Sequence, residues 1–501
     1  MKCCDFPRLA TERIVLRSQT QFTDGYGGQS VLWETVGTYW AWIRPLNSYE
    51  QYQQMQLQGK TTHKLVIRYN TLFKNVQDFT AYSMTFNGRT FAIHGVKNLD
   101  STLKNYGIDY HEIMIEDNGP EIQDTQINLI VNGNLTSDAT FTRASTATYF
   151  DSAGIMQTAA INAARINYLQ DGSGLYGLQI EGARTNLLLA SETFDNNTYW
   201  NAGTNATMSS NDDTAPDGNT TADRFTADTS ITTQRREQTI TVTASTAKSL
   251  TIFIKAGTQN TGQAQLIASG SSVHTLSITP TNEWTRYELS IPSSDTATSL
   301  ICGIYPSDAT GALGDNILVW GAQLEQASFA SSYIPTTTAT VTRAADICTI
   351  DLTKVGWFND SEGAIYADIA RETLDTTYST IFSLDDGTLN NRITMALSGG
   401  AGKTTRTEIN VAGVAQVAMS NVGTAADFPI KMATAYKIND IASIANDSVS
   451  TNTDSSASIP TVTTLSMGLR LSSSAHLFGV IENMTYYPLR LPDATLVTLI
   501  T

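Results

Sequence analysis

The dipeptide Asn87-Gly88 lies between two runs that alternate along the chain, Tyr82-Ser83-Met84-Thr85-Phe86 and Arg89-Thr90-Phe91-Ala92-Ile93. Asn and Gly best tolerate the positive φ angles of a two-residue hairpin link, so the stretch predicts two antiparallel strands joined by a tight turn. The same period of two runs from Thr61 to Tyr69. There His63, Leu65, Ile67 and Tyr69 share one face, and Thr62, Lys64, Val66 and Arg68 share the other. Gly37 to Leu46 and Ile108 to Glu116 read as further strands, which predicts a small, strongly curved sheet or barrel over the first 118 residues.

One segment breaks the pattern. Ser48-Tyr49-Glu50-Gln51 fits a capping box, Tyr52 and Met55 follow at helical spacing, and Gly59 ends the stretch, so a short helix or mobile arm interrupts the sheet. Tyr49, Gln51, Tyr52, Gln53, Gln54, Met55 and Gln56 form this arm, and a polar, aromatic segment of this kind suits ordering on a neighbour.

After Glu116-Asp117-Asn118-Gly119-Pro120 the texture shifts from Tyr, Gln, Lys and Arg to Thr, Ser, Ala, Asn and Gly. Residues 119–126 read as a linker. Beyond it, Thr142 to Gly154 reads as strand, turn and return, with Asp151-Ser152-Ala153-Gly154 supplying the turn. Thr239 to Thr243, Ser249 to Lys255, Val273 to Ile278, Trp284 to Ile291 and Ile317 to Leu324 read as antiparallel strands at sandwich or jelly-roll spacing. Thr342-Arg343-Ala344 echoes Thr142-Arg143-Ala144, too briefly to be a repeat. Past the extended Tyr333-Ile334-Pro335-Thr336 stretch, a second set of strands includes Gly363 to Ile369, Ser379 to Leu384, Arg392 to Leu397, Lys431 to Ile438 and Leu477 to Tyr487. The expected fold is all-β: a small barrel over 1–118, a jelly roll over 127–346 and a second sandwich over 347–501.

Charge divides at the first boundary. Of 31 basic and 47 acidic residues, 12 and 11 fall in residues 1–118, which leaves 19 against 36 and a charge of -17 beyond. A surplus of acid disfavours a nucleic-acid binder, because phosphate neutralisation needs Lys and Arg. No apolar run suits a signal peptide or a membrane span, so no membrane insertion is expected. Cys3, Cys4, Cys302 and Cys348 are too few and too scattered for a disulfide framework, which suits synthesis in a reducing cytoplasm.

Thr38-Tyr39-Trp40-Ala41-Trp42-Ile43-Arg44-Pro45-Leu46, Gln54 to Gln58, Thr62 to Tyr69, Phe86 to Ile93 and Glu112-Ile113-Met114-Ile115-Glu116 resemble, in order, the head–tail joining (head-closure or stopper) family of tailed phages. The resemblance spans nearly the whole first domain. It implies a non-catalytic ring protein of six or twelve copies in the virion neck. Its implied partners are the portal or adaptor and the tail terminator, with genome DNA passing through the lumen without sequence-specific binding. A near-neutral wall is compatible with that passage.

Glu181 to Leu188, Ser191 to Asp195, Trp200, Trp284 and Trp320 to Glu325 resemble the carbohydrate-binding-module-like jelly roll of phage head-spike fibres. Gly363 to Ile369 and Phe478 to Leu491 resemble concanavalin-like (laminin-G-like) lectin domains. These imply collar fibres or spikes that reach host surface glycans, but no glycan-binding residue can be carried over. Trp200, Trp284 and Trp320 are expected in the core, and Trp357 is a candidate with buried packing as the main reading.

Other chemistry is not supported. Gly402-Lys403-Thr404 lacks the first Gly of a phosphate loop, and Asp212-Asp213 with Asp217-Gly218-Asn219 lacks EF-hand spacing. His63, His94, His111, His274 and His476 form no ligand array, and Asp385-Asp386 reads as a turn before Gly387. No cofactor, metal or catalytic residue is expected. A virion neck protein is the leading reading; a tail-associated receptor-binding adhesin and a polysaccharide depolymerase are its rivals, since distant carboxylates can still converge in space.

Overall fold

The computed structural model describes residues 12–23, 29–46, 62–68, 82–86, 89–98, 110–120, 126–202, 206–228, 234–307, 312–372, 378–397, 404–421, 429–446, 451–471 and 475–500. The chain forms two compact units, Met1–Gln126 and Ile127–Thr501. The described regular structure is β apart from one helix, Asp493–Ile500, which is too short to cross a membrane.

In the first unit, β1 (Glu12–Thr23), β2 (Gln29–Pro45), β3 (His63–Arg68), β4 (Tyr82–Phe86), β5 (Arg89–Asn98) and β6 (Tyr110–Pro120) close a barrel in the order β1-β2-β3-β6-β5-β4. Alternation fills it. Ile14 and Leu16, Leu65 and Ile67, Phe91 and Ile93, and Ile113 and Ile115 enter one core, joined by Ala41 and Met84. The expected hairpin is present, with Ser83 opposite Ala92 and Phe86 opposite Arg89. That register leaves two residues for the link, Asn87 and Gly88, which lie outside the described residues. β6 runs past the expected limit at Asn118 because Asp117 and Pro120 still pair, with Phe91 and Arg89 of β5. The expected arm, Tyr49 to Gln56, lies outside the described residues.

β1 and β2 outgrow the barrel. Val15–Ser18 reach β4, and Ala41–Pro45 reach β3. Among the described residues, Gln19–Thr23 pair with Gln29–Trp33 alone, forming a two-stranded ribbon beyond the closed wall. A two-stranded sheet is marginal in water by itself, so such a ribbon gains most from a further surface.

The second unit holds two sandwiches, but they are nested and not consecutive. A nine-stranded and a seven-stranded sheet enclose one core drawn from both ends of the unit: Leu129, Ile130, Leu178 and Ile180 pack with Ile365, Phe382, Met395, Leu465 and Tyr486. Ile130 lies opposite Met484, Leu178 opposite Ile481, and Phe141 opposite Cys348. The division expected at 346/347 is therefore corrected: residues 127–142 and 166–180 complete the later sandwich, while Phe150 and Met156 of the hairpin between them pack with Phe253 and Trp320 of the jelly roll. Two five-stranded sheets form the jelly roll inserted between Ile180 and Ile347. In its strand Lys248–Ala256, Leu250, Ile252 and Ile254 enter the inner core, while Phe253 faces the opposite way.

The outer face of the nine-stranded sheet is lined by Ala364, Ala433, Ala435 and Ala442, whose small side chains let helix Asp493–Ile500 approach with Leu496 and Ile500. Opposite them, Ile365, Ala367 and Ile369 enter the sandwich core. The helix has no counterpart in the sequence reading.

Candidate functional site

On the barrel, the Thr38 to Leu46 stretch sorts by parity. Tyr39, Ala41 and Ile43 face or flank the core, while Trp40 and Trp42 face outward. Trp40 is 57 % exposed, with the Arg13 guanidinium 5.4 Å from its ring, and Arg44 lies 5.8 Å from Trp42. Exposed Val36 continues the stripe toward the ribbon. An exposed tryptophan with an adjacent cation is the side-chain type that anchors protein interfaces. Lys64 pairs with Glu112 at 3.1 Å, and His94 Nε2 lies 2.8 Å from Glu116 Oε2.

In the second unit the chain enters and leaves the jelly roll through adjacent segments: Arg184–Asn186 pairs with Val341–Arg343. Behind this crossing Arg143, Arg165 and Arg343 are at most 1 % exposed. Asp346 accepts from Arg143 Nη1 at 3.0 Å, Arg165 Nη2 at 2.6 Å and the Glu181 N–H at 2.9 Å. Glu181 accepts from Arg165 at 3.0 Å and from the Ser332 N–H and hydroxyl at 2.8 and 2.6 Å, with Arg343 Nη2 at 3.4 Å. Carbonyls of Ser145, Ala160, Thr148 and Gly182 take further guanidinium hydrogens.

Burial pushes the Glu181 carboxyl up, but Arg343, Arg165 and the Ser332 hydrogen bonds outweigh it and hold it at about 2. Burial pushes the nearby His476 imidazole down, so it adds no further cation at neutral pH. Buried charges persist only when paired and hydrogen-bonded, and this cluster meets both conditions from within the fold. It acts as a fastener between the nested sandwiches. The two Thr-Arg-Ala triplets noted in the sequence supply two of its three arginines; Arg165, Glu181 and Asp346 carried no local signal.

Above the cluster lies a cleft of about 700 Å³. One wall is the hairpin Ala147–Phe150 with Met156–Ala159 and the loop after Tyr168; the other comes from the jelly-roll loops near Pro216 and Trp284. Asp151 fixes its turn by accepting from the N–H groups of Ala153 and Ile155 at 2.9 and 3.0 Å, and the Ile155 bond is the main reason its carboxyl is lowered. The N–H of Met156 donates to Pro216 O at 2.9 Å, which ties the two walls together. Phe253 and Tyr333 form the floor and buried Trp320 backs them, with ring centroids 5.0 to 6.1 Å apart. A bulge between Thr251 and Phe253 sets this up: Gly321 takes φ +65°, and a Cβ there would stand 2.9 Å from the Phe253 ring.

Trp200 and Trp320 are buried as expected, but Trp284 is half-buried at the cleft, with Nε1 donating to Thr214 O at 2.9 Å. It escapes the core because it precedes its strand, Thr285–Ile291. Arg286 beside it donates to Ser331 O at 2.6 Å and to Thr251 Oγ1 at 3.2 and 3.0 Å, and burial lowers its pKa. The ring of Tyr168 stacks on Tyr176 at 4.7 Å. Gln179 is 9 % exposed, and neither its amide nor the Tyr149 and Tyr168 hydroxyls have a hydrogen-bond partner among the described residues. Trp357 is half-buried, against Tyr486 at 5.4 Å, and bonds Asp138 at 2.8 Å, so it lies with the outer sandwich.

The polar motifs set aside in the sequence have local partners. Asp212 pairs with Arg224 and Asp213 with Lys255, Asp217 accepts from the Asn219 N–H, and Asp385 accepts from the Gly387 N–H in a turn. His274 bonds Asp295 at 3.1 Å, and His63 bonds Thr62 at 2.9 Å. No group of three metal-ligating side chains forms among the described residues. Cys302 and Cys348 are free and buried, and burial pushes the Cys302 thiol up to about 12. Cys3, Cys4, Gly402 and Lys403 lie outside the described residues.

Residues 7–116 match the family model of the phage head completion protein. That span coincides with the barrel. No curated protein sequence matches the chain. Among solved structures, a chain from the virion of a native gene transfer agent particle is 17 % identical, covering 21 % of this chain and 94 % of its own, at a TM-score of 0.15. Domains LG4-5 of the mouse laminin α1 chain are 12 % identical over 51 % of this chain and 91 % of their own, at 0.18. A Trypanosoma rangeli sialidase in complex with 2,3-difluoro-KDN is 10 % identical over 98 % of this chain and 78 % of its own, at 0.24. Scores this low carry no weight for fold or function, and the all-β architecture rests on the sheet topology.

Proposed function

We propose that the chain is a structural virion protein of a tailed phage, whose barrel joins the DNA-filled head to the tail and whose nested sandwiches project as collar fibres or spikes. The observation that carries this reading is the coincidence of the closed barrel, Glu12 to Pro120, with the head completion match over 7–116. The barrel assembles as a ring of six or twelve copies against the portal or adaptor and the tail terminator. The Trp40 and Trp42 stripe and the β1–β2 ribbon are the described parts available for those contacts, and the arm Tyr49 to Gln56 expected from the sequence is a further one. The balanced charge of residues 1–118 lets DNA pass without adhering, while the -17 carried beyond suits a solvent-facing appendage.

The role is not enzymatic in this reading. Glu181, the carboxylate at the cleft floor, is held ionised by Arg165 and Arg343 and so is a poor proton donor for glycoside cleavage. Cryo-electron microscopy of the particle tests the proposal: density for this chain as a ring beneath the portal is expected. Finding it at the distal tail tip, or missing from the virion, would sink the idea.

A further inference from the structure

We infer that the cleft between the nested sandwiches binds a neutral oligosaccharide. The inference deepens the appendage role proposed above by naming the site and the ligand class. About 700 Å³ falls within the ~300–1,000 Å³ of small-molecule sites. A pyranose has an apolar CH face and a rim of hydroxyls, so its site needs an aromatic platform beside unspent hydrogen-bonding groups. Both are present. Trp284 and Tyr168 are half-buried, with ring surface at the cleft. The Gln179 amide offers one acceptor and two donors at 9 % exposure, and the Tyr149 and Tyr168 hydroxyls offer one donor each, all without a partner among the described residues. Having no protein partner among the described residues, these groups face the water of the cleft and can exchange it for the hydroxyls of a molecule seated there.

The charges select against acidic ligands. Arg286 spends hydrogens on Ser331 and Thr251, and Glu325, Glu288 and Glu181 lie near it. Asp171 and Glu283 stand exposed at the rim, and the whole chain carries -16. A polyanionic chain would meet repulsion at the entrance. The walls are set before any ligand arrives, because Asp151 and Asp171 pin their loops and Met156 bonds Pro216 across the gap.

The full-length protein on an array of neutral and acidic glycans, followed by calorimetry with the strongest neutral oligosaccharide, tests this. Gln179→Leu keeps the side-chain volume and removes the amide; Tyr149→Phe removes one hydroxyl. The expected result is at least tenfold weaker binding for Gln179→Leu and severalfold weaker for Tyr149→Phe, with wild-type melting temperatures, while Trp357→Phe on the outer sandwich binds as wild type. If Gln179→Leu unfolds, Tyr149→Phe decides. No neutral glycan bound, preference for acidic glycans, or unchanged affinity in a folded cleft variant overturns the inference. The readout uses purified protein, so its failure is scored separately from loss of head–tail joining.

Discussion

Replacing Asp346 by Asn tests whether the buried cluster fastens the two sandwiches. The Asp346 carboxylate is fully buried and accepts two guanidinium bonds and one backbone bond. Asn keeps the shape and one acceptor, but turns an N–H₂ toward an arginine and leaves three buried cations facing Glu181 alone. Removing one partner of a buried ion pair costs about 3–5 kcal/mol, because the remaining charge stays desolvated. With a urea m value of about 3 kcal/mol/M, the unfolding midpoint falls by roughly 1–1.7 M. Tryptophan fluorescence reads this, with Trp200 and Trp320 in the jelly roll and Trp357 against the outer sandwich. Adding Arg143→Met removes one stranded cation, so the double variant should be less destabilised than the sum of the singles by more than ~1 kcal/mol. A midpoint shift below about 0.3 M, or strict additivity, would refute the role given to these charges.

Asp368 on strand Glu362–Glu372 is pushed up to about 6 by burial first and Glu482 second, with Lys431, Tyr366 and Asn483 opposing. Its folded value lies above the unfolded 3.8, so the folded state binds the extra proton, and stability falls as pH rises from about 4 through 6, by on the order of 3 kcal/mol. Asp368→Asn should therefore raise the urea midpoint at pH 8 and leave it nearly unchanged at pH 4; equal gains at both would contradict the assignment. Replacing Gln19–Trp33 by a two-residue Asn-Gly link closes the Ser18–Glu34 pair and spares all described pairing of the barrel with β3 to β6. Sedimentation should then give a folded protein that no longer assembles into rings, and rings of wild-type size would exclude the ribbon from assembly.

Strands with one inward and one wet face were legible from the chain alone: Val273–Ile278, which alternates along its length, matches the period-two reading to the residue. Ile441–Ala445 was not, because all five of its residues are buried, between the sandwich core and the face under the C-terminal helix, and no alternation survives. The nesting was equally hidden. Ile130 finds Met484 across more than 350 residues, and a local pattern contains no information on so distant a partner. The cluster shows the same limit at one site: the two Thr-Arg-Ala triplets read only as a brief echo of each other, because Glu181 and Asp346 come beside their arginines only in the folded chain.

The fastening and the cleft are one construction. Glu181 and Ser332 line the cleft and also hold the cluster, through bonds of 2.8 and 2.6 Å from Ser332 to Glu181. Glu181 ends the strand region of the outer sandwich, and Ser332 belongs to the segment returning from the jelly roll. The walls therefore cannot part without breaking charge-assisted hydrogen bonds in a site sealed from water, where such bonds are strongest. An inserted domain joined by two free linkers would leave a hinge; this one is held by ions at its root. A ligand bound across the walls meets a site already organised, so Asp346→Asn should weaken glycan binding even though Asp346 does not line the cleft.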